Sequence, residues 1–278
     1  MLALALTSLA LLTAKPPVTY VLHPTQPAPS DLVYTFRTSE TGDRSRDDDM
    51  TGTVRVHDGD VRIDVDRHRN GDDRDAYILV LDNGARMLSV HPSRHEVEEM
   101  SAAGFERIVG TSLRAVRPIV HFRVGDVAIS TQRLGAGGTL LGHATDHVRL
   151  TEHYTVHITA MGFDGGDETI AVQTDYWVVP GLQLGRNPLL ALLERAGTAM
   201  AQSDASFVQR EDAARAALPQ GSPLRTVSRV TTTERNGDTK ETVRTTEVTS
   251  LKREAQPASL FEVPSGYKVK NASASFDM

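Results

Sequence analysis

The sequence predicts a mainly β (α+β) protein: a curved antiparallel sheet covered by a helical pair inserted late in the chain. Three observations carry that expectation. Short runs of alternating apolar and polar residues recur along most of the 278 residues, which is the period of a half-buried strand. Asp58-Gly59, Asn83-Gly84 and Asn236-Gly237-Asp238 punctuate them as tight turns, and tight turns imply antiparallel pairing. A sheet of this length curls, and helices can cover its concave face.

The elements follow in order. Residues 32–38 form a first strand. Residues 53–57 and 60–66 flank Asp58-Gly59; in the second of these Val61, Ile63 and Val65 alternate with Arg62, Asp64 and Asp66. Residues 76–81 and 86–90 flank the next turn, and because Tyr77, Leu79 and Leu81 alternate with Ala76, Ile78 and Val80, this strand is expected to be covered on both faces. Residues 94–100 continue the meander. Residues 105–117 read as a helix and 127–133 as a strand.

The glycine-rich stretch 135–138 is read as a turn into the longest strand, 140–160. There Val148, Leu150, Tyr154, Val156, Ile158 and Ala160 share one parity, and Thr145, His147, Arg149, Thr151, His153, Thr155, His157 and Thr159 the other. One face is core and the other wet. Residues 164–166 turn the chain into a returning strand, 169–179, which holds the single tryptophan, Trp177.

Asn187 and Pro188 open a helix with the stripe Leu189, Leu192, Leu193, Ala196 and Met200. A second helix spans 204–218. Residues 225–235 and 239–252 form a hairpin with nine threonines between Thr226 and Thr249, β-prone but poorly apolar. Residues 260–263 close the sheet, and 268–278 are expected to fray.

Residues 1–14 (MLALALTSLALLTA) are an uncharged apolar run. They are shorter than the roughly 20 residues that span a bilayer and match the apolar region of a secretory signal; a buried first helix is the rival reading. Residues 15–30 carry five prolines and read as an extended linker, leaving 31–267 as one domain. With no cysteine, disulfides, thiol nucleophiles, thiolate metal sites and a lipid-anchored cysteine are all excluded. A formal charge of −6 gives no electrostatic reason to expect nucleic acid. The expectation is therefore a periplasmic or secreted protein without lipid anchor or integral membrane segment.

The search for chemistry finds no nucleophile elbow, phosphate loop or Ser-x-x-Lys, so no catalytic residue and no cofactor are expected. His143, His147, His153 and His157 share parity, and imidazoles bind transition metals. Residues four apart on a strand are roughly 13 Å apart, however, so a solvated polar face is the preferred reading. The acidic string Asp64, Asp66, Asp72, Asp73 and Asp75 lacks the spacing of a hand-type calcium loop and reads as a charged hairpin tip.

Taken together, GDVRIDVD (59–66), YILVLDNGARM (77–87), LGHATDHVRLTEHY (141–154), DYWVVP (175–180) and LFEVPSGY (260–267) resemble a domain-of-unknown-function family of exported bacterial proteins. That family is similar in architecture to the periplasmic lipoprotein carriers and outer-membrane lipoprotein receptors. The resemblance implies an incomplete antiparallel barrel, closed on one side by helices around an apolar cavity for acyl chains; it transfers no ligand-positioning residue.

The function expected is non-enzymatic binding or carriage of a lipid, acyl chain or other apolar ligand. Tyr77, Leu79, Tyr154, Val156, Tyr176, Trp177, Leu189, Leu192 and Leu193 are the candidate cavity lining. Two alternatives are an envelope protein–protein module that presents the Thr-rich hairpin, and a metal-binding protein or metalloenzyme built on the four histidines.

Overall fold

The computed structural model of the chain describes residues 31–42, 49–66, 75–101, 120–160, 163–184 and 205–271. The expected signal and linker, the helix at 105–117 and the helix carrying Leu189, Leu192 and Leu193 lie outside these residues.

Twelve strands form one open curved sheet. The first six are β1 (Leu32–Gly42), β2 (Met50–His57), β3 (Asp60–Asp66), β4 (Tyr77–Leu81), β5 (Arg86–His91) and β6 (Glu96–Ser101). The rest are β7 (Val120–Leu140), β8 (His143–Ala160), β9 (Phe163–Pro180), β10 (Gly221–Thr233), β11 (Thr239–Arg253) and β12 (Lys268–Asn271). The spatial order is β12-β6-β5-β4-β3-β2-β1-β11-β10-β9-β8-β7. Two antiparallel meanders, β1 to β6 and β7 to β11, are thus joined by the pairing of β1 with β11. The one described α-helix, α1 (Ala205–Ala216), packs against β7.

The turn chemistry is as the sequence predicts. Asp58 and Gly59 both take positive φ, 47° and 90°, as a two-residue hairpin loop requires. At the β10–β11 turn the Asp238 backbone N–H donates to Asn236 Oδ1 at 2.9 Å.

Strand pairing fixes which residues share a face. One face carries Leu32, Tyr34, Val54, Val56, Val61, Ile63, Val80, Leu224 and Val248, buried together with Leu182 and Leu184. Following the registers from β1 through β11, β10 and β9 to β8, the same face carries Thr38, Thr246, Thr226, Tyr176 and Val148. The opposite face of the first meander holds a second cluster, Tyr77, Leu79, Leu81, Leu88, Val90, Val97 and Phe261. Strand β4 is therefore covered on both sides, as its doubly apolar sequence predicts.

Four features depart from the expectations. Residues 135–138 are not a turn: they belong to β7, which shifts register between Arg133 and Gly135 and again between Ala136 and Gly138. The hairpin turn falls instead at Leu141 and Gly142, both at positive φ. Positive-φ glycine serves an edge-strand bulge as readily as a turn. Residues 164–166 likewise sit inside β9. Residues 260–263 do not close the sheet; a 3-10 turn, Ala258–Phe261, lays Phe261 on the second cluster. Part of the expected frayed tail is strand β12, which pairs parallel with β6, Val269 opposite Val97.

The Thr-rich hairpin has no free edge either. Strands β10 and β11 are central, paired on both sides, so the edge through which it would recruit a partner is already taken.

Candidate functional site

The side of the curved sheet that runs through Thr38, Thr246 and Tyr176 is called the trough below. At one end the first apolar cluster fills it. Along the middle its floor is a strip of hydroxyls, with Thr38 to Thr246 at 3.1 Å and the buried Thr174 to Ser228 at 3.2 Å. No described element packs over that strip. At the other end Val148, Leu150, Tyr154, Val156 and Ile170 make the floor apolar again, and α1 lies over it.

Helix α1 is seated by specific contacts. Phe207, 5% exposed, meets the Tyr154 ring edge-on at 5.2 Å between centroids. The Thr131 hydroxyl donates to the Ala214 carbonyl at 2.7 Å. Register places Thr131 opposite Leu150, on the trough side. Beneath the helix stands Glu152, opposite Ile129 on β7 and Val172 on β9. Burial first, and the Glu211 carboxylate second, push its carboxyl up to about 7, against a smaller opposing pull from Arg215. Burial also pushes the Tyr154 phenol up. A charge-bearing residue on the core parity is the signal that a list of apolar positions passes over: Glu152 falls between Leu150 and Tyr154 on that parity.

Of the nine candidate lining residues, Tyr154, Val156 and Tyr176 face the trough. Tyr77 and Leu79 do not; they belong to the second cluster on the other side of the sheet, where the Arg62 guanidinium lies 3.7 Å from the Tyr77 ring centroid. Trp177 also faces away, because successive residues on a strand point to opposite sides. Leu189, Leu192 and Leu193 fall outside the described residues.

On that outer face Trp177 joins a ladder across five strands. Arg37, Glu247, Arg225, Trp177 and His147 sit side by side on β1, β11, β10, β9 and β8. The His147 ring stacks on Trp177, and Arg225 lies 5.0 Å from the indole centroid. The Arg225 Nε is buried and finds no acceptor among the described residues. One rung along, Asp175 accepts from His147 Nε2 and Arg149 Nε, each at 2.9 Å. Burial raises this carboxyl, but those hydrogen bonds outweigh it and hold Asp175 below the usual carboxylate range.

The four histidines do not gather. His147 is engaged by Asp175, His157 donates from Nδ1 to Asp167 at 2.6 Å, and His143 and His153 are exposed. Among the described residues the one trio with ligand atoms within 4.8 Å of one another is Asp31, His57 and Asp58, which contains none of them. In that trio His57 Nδ1 lies 3.0 Å from Asp31, whose other oxygen accepts from the Gln256 backbone N–H at 2.7 Å. The geometry is a latch that ties residue 256 to the first strand. An open groove of about 440 Å³ lies on the outer face, lined by His157, Asp167, Thr169, Thr233, Glu234 and Arg235; its walls are polar.

No family model and no curated protein matches the sequence. Among solved structures, the chain is similar to the LolA superfamily protein NE2245 from Nitrosomonas europaea, at 10% identity and a TM-score of 0.29. The match covers 85% of this chain and 91% of that one. The architecture described above rests on the strand order of this chain itself.

Proposed function

We propose that the protein is a non-enzymatic carrier or binding protein for a lipid, acyl chain or other apolar ligand, acting in the periplasm or outside the cell. The observation that supports this reading is the trough. An open curved sheet offers one face with apolar floor at both ends, and the one described helix lies over one of them. A concave, mostly apolar surface with a few polar groups is the common form of a small-molecule site. The sequence resemblance to exported carrier-like proteins points the same way. A hydroxyl floor between apolar ends suits an amphiphile better than a pure hydrocarbon, because threonine side chains keep partners when the ligand leaves.

The test is binding. Protein recovered from an envelope fraction is expected to carry a lipid or acyl chain in its native mass spectrum. Dodecanoate, offered below its micellar concentration, is expected to bind saturably and to lose affinity when Ile170→Asp places a charge in the trough floor. A bare chain in the mass spectrum together with no saturable uptake refutes the proposal.

A further inference from the structure

The β7–β8 hairpin ends in an apolar finger. From Leu134 to Thr145 the chain reads LGAGGTLLGHAT, with no Asp, Glu, Lys or Arg in a protein that is 24% charged. The β8–β9 ladder stops at Asp146 and Val178, so His143, Ala144 and Thr145 pair with β7 alone, and β7 is a sheet edge. Of the four exposed large apolar residues among those described, two are here, Leu134 at 38% and Leu141 at 44%. Leu134 stands where the β7 register shifts, and Leu141 forms the turn with Gly142. That turn is costly for a leucine. Leu141 and Gly142 take φ of 50° and 80°, left-handed positions that Asn, Asp or Gly fill at least cost. The β2–β3 turn uses Asp58-Gly59 for the same purpose. The Leu141 side chain, nearly half exposed, gains little packing in return. The finger is nonetheless firmly rooted. Thr145 is buried and donates to the Gly138 carbonyl at 3.0 Å, and Leu140 packs on the first apolar cluster.

We propose that this finger, through Leu134 and Leu141, docks the protein reversibly on the surface of a lipid bilayer. Three features favour a lipid surface over a protein partner. On their facing sides the backbone groups pair between β7 and β8, through Thr139–Ala144 and Leu140–His143, as contact with an apolar layer requires. The outward-facing groups stay within reach of head groups and water at the shallow depth of interfacial binding. The finger also has no Asp, Glu, Lys or Arg to desolvate. A protein interface, finally, takes roughly 800 Å² from each partner and is anchored by aromatic or arginine side chains; two leucines among glycines offer neither. Two leucines hold a bilayer about as weakly as a single acyl chain does, so attachment is reversible. Arg133 and Asp146 flank the finger with opposite charges, so attachment depends little on salt or on anionic lipid. Because Leu140 lies on the first apolar cluster, docking brings that end of the trough to the lipid. The proposal does not depend on what the trough carries.

The experiment is flotation of the full chain with vesicles of phosphatidylcholine and phosphatidylglycerol, at pH 7.5. The wild-type chain is expected to float with the vesicles, and Leu134→Ser and Leu141→Ser each to lower partitioning about tenfold. Leu141→Asn suits the left-handed turn. It is expected to lose partitioning to the same extent while its melting temperature holds or rises, which separates docking from folding. As the chain has no cysteine, an environment-sensitive dye on Leu141→Cys reports the tip alone. Its emission is expected to shift to the blue on vesicles, whereas the same dye on Thr239→Cys, at the opposite end of the strands, does not shift. A wild-type chain that stays in solution overturns the proposal, as does a blue shift of equal size at both positions. So does partitioning that survives the leucine substitutions, since lipid affinity then belongs to another segment, the apolar run 1–14 included. Self-association that disappears in Leu134→Ser and Leu141→Ser, without vesicle binding, overturns it in favour of a second copy of the chain.

Discussion

The imidazole of His147 lies flat on the indole of Trp177, with 4.5 Å between centroids and 11° between planes, and its Nε2 donates to Asp175. A residue pair that the sequence offers as a metal ligand and a pocket wall is instead a piece of outer-face architecture. It binds β8 to β9 through ring stacking and through a carboxylate shared with Arg149.

Asp175 is the keystone of that arrangement. Its carboxyl titrates lower in the folded chain than in the unfolded one, so its contribution is present above the ordinary carboxylate range and fades as pH falls below it. Asp175→Ala leaves the Arg149 and His147 donors without their acceptor. It is expected to cost about 1–3 kcal/mol at pH 7. Urea titrations of both chains at pH 7 and pH 3 are expected to show the difference shrinking at the lower pH.

Glu152 behaves in the opposite sense. Its folded-state value of about 7 lies above the unfolded 4.5. The residue therefore costs no stability below the unfolded value, and its cost grows as pH rises through the folded one. Glu152→Gln removes that cost and is expected to stabilise the unliganded protein by about 2–3 kcal/mol at pH 8 and by almost nothing at pH 4.5. Thermal melts across that range read the crossing directly.

Gly137 backs the Trp177 ring. A Cβ there would stand 2.7 Å from Trp177 Cδ1 and 2.6 Å from Thr145 Oγ1, inside van der Waals contact. Gly137→Ala is expected to displace the indole from its stack on His147. Because the chain has a single tryptophan, the displacement reads out as a shift in intrinsic fluorescence, with a destabilisation of about 1–3 kcal/mol.

Phe207 is the buried anchor of α1 on Tyr154. Phe207→Ala is expected to cost about 3–5 kcal/mol locally. Amide exchange across 205–216 should accelerate, while β4 and β5, buried around Leu79 and Leu88, keep their protection.

The strands were legible because period-two alternation and the Asp-Gly and Asn-Gly turns are local properties of the chain. The face assignments were legible only within a strand. Tyr176 and Trp177 are neighbours in sequence, and the pleat sends them to opposite sides of the sheet. Tyr77 and Leu79 read as apolar, yet which of two apolar faces they join depends on the arrival of Phe261 from the far end of the chain. The glycines at 135–138 read as a turn; Gly135 and Gly138 do take positive φ, but an edge strand uses that conformation for bulges as well. Glu152 was visible as a charge on the core parity; what it faces depends on where α1 packs. The pairing of β12 with β6 left no local trace at all, since four residues such as Lys268–Asn271 carry too little pattern to register as a strand.

That last pairing makes the C-terminal arm a clasp. The first meander, β1 to β6, is complete in sequence by residue 101, yet among the described residues its outer cluster is covered by Phe261 and its neighbours, which arrive from the other meander. The Asp31–His57 latch on residue 256 fastens the arm at its root. The two halves of the sheet are thus interlocked twice, by the β1–β11 seam and by the arm that crosses back over it. Among the described residues, the cover of Leu79, Leu88, Val90 and Val97 comes in part from Phe261, with Leu260, Val263 and Tyr267 packed beside it.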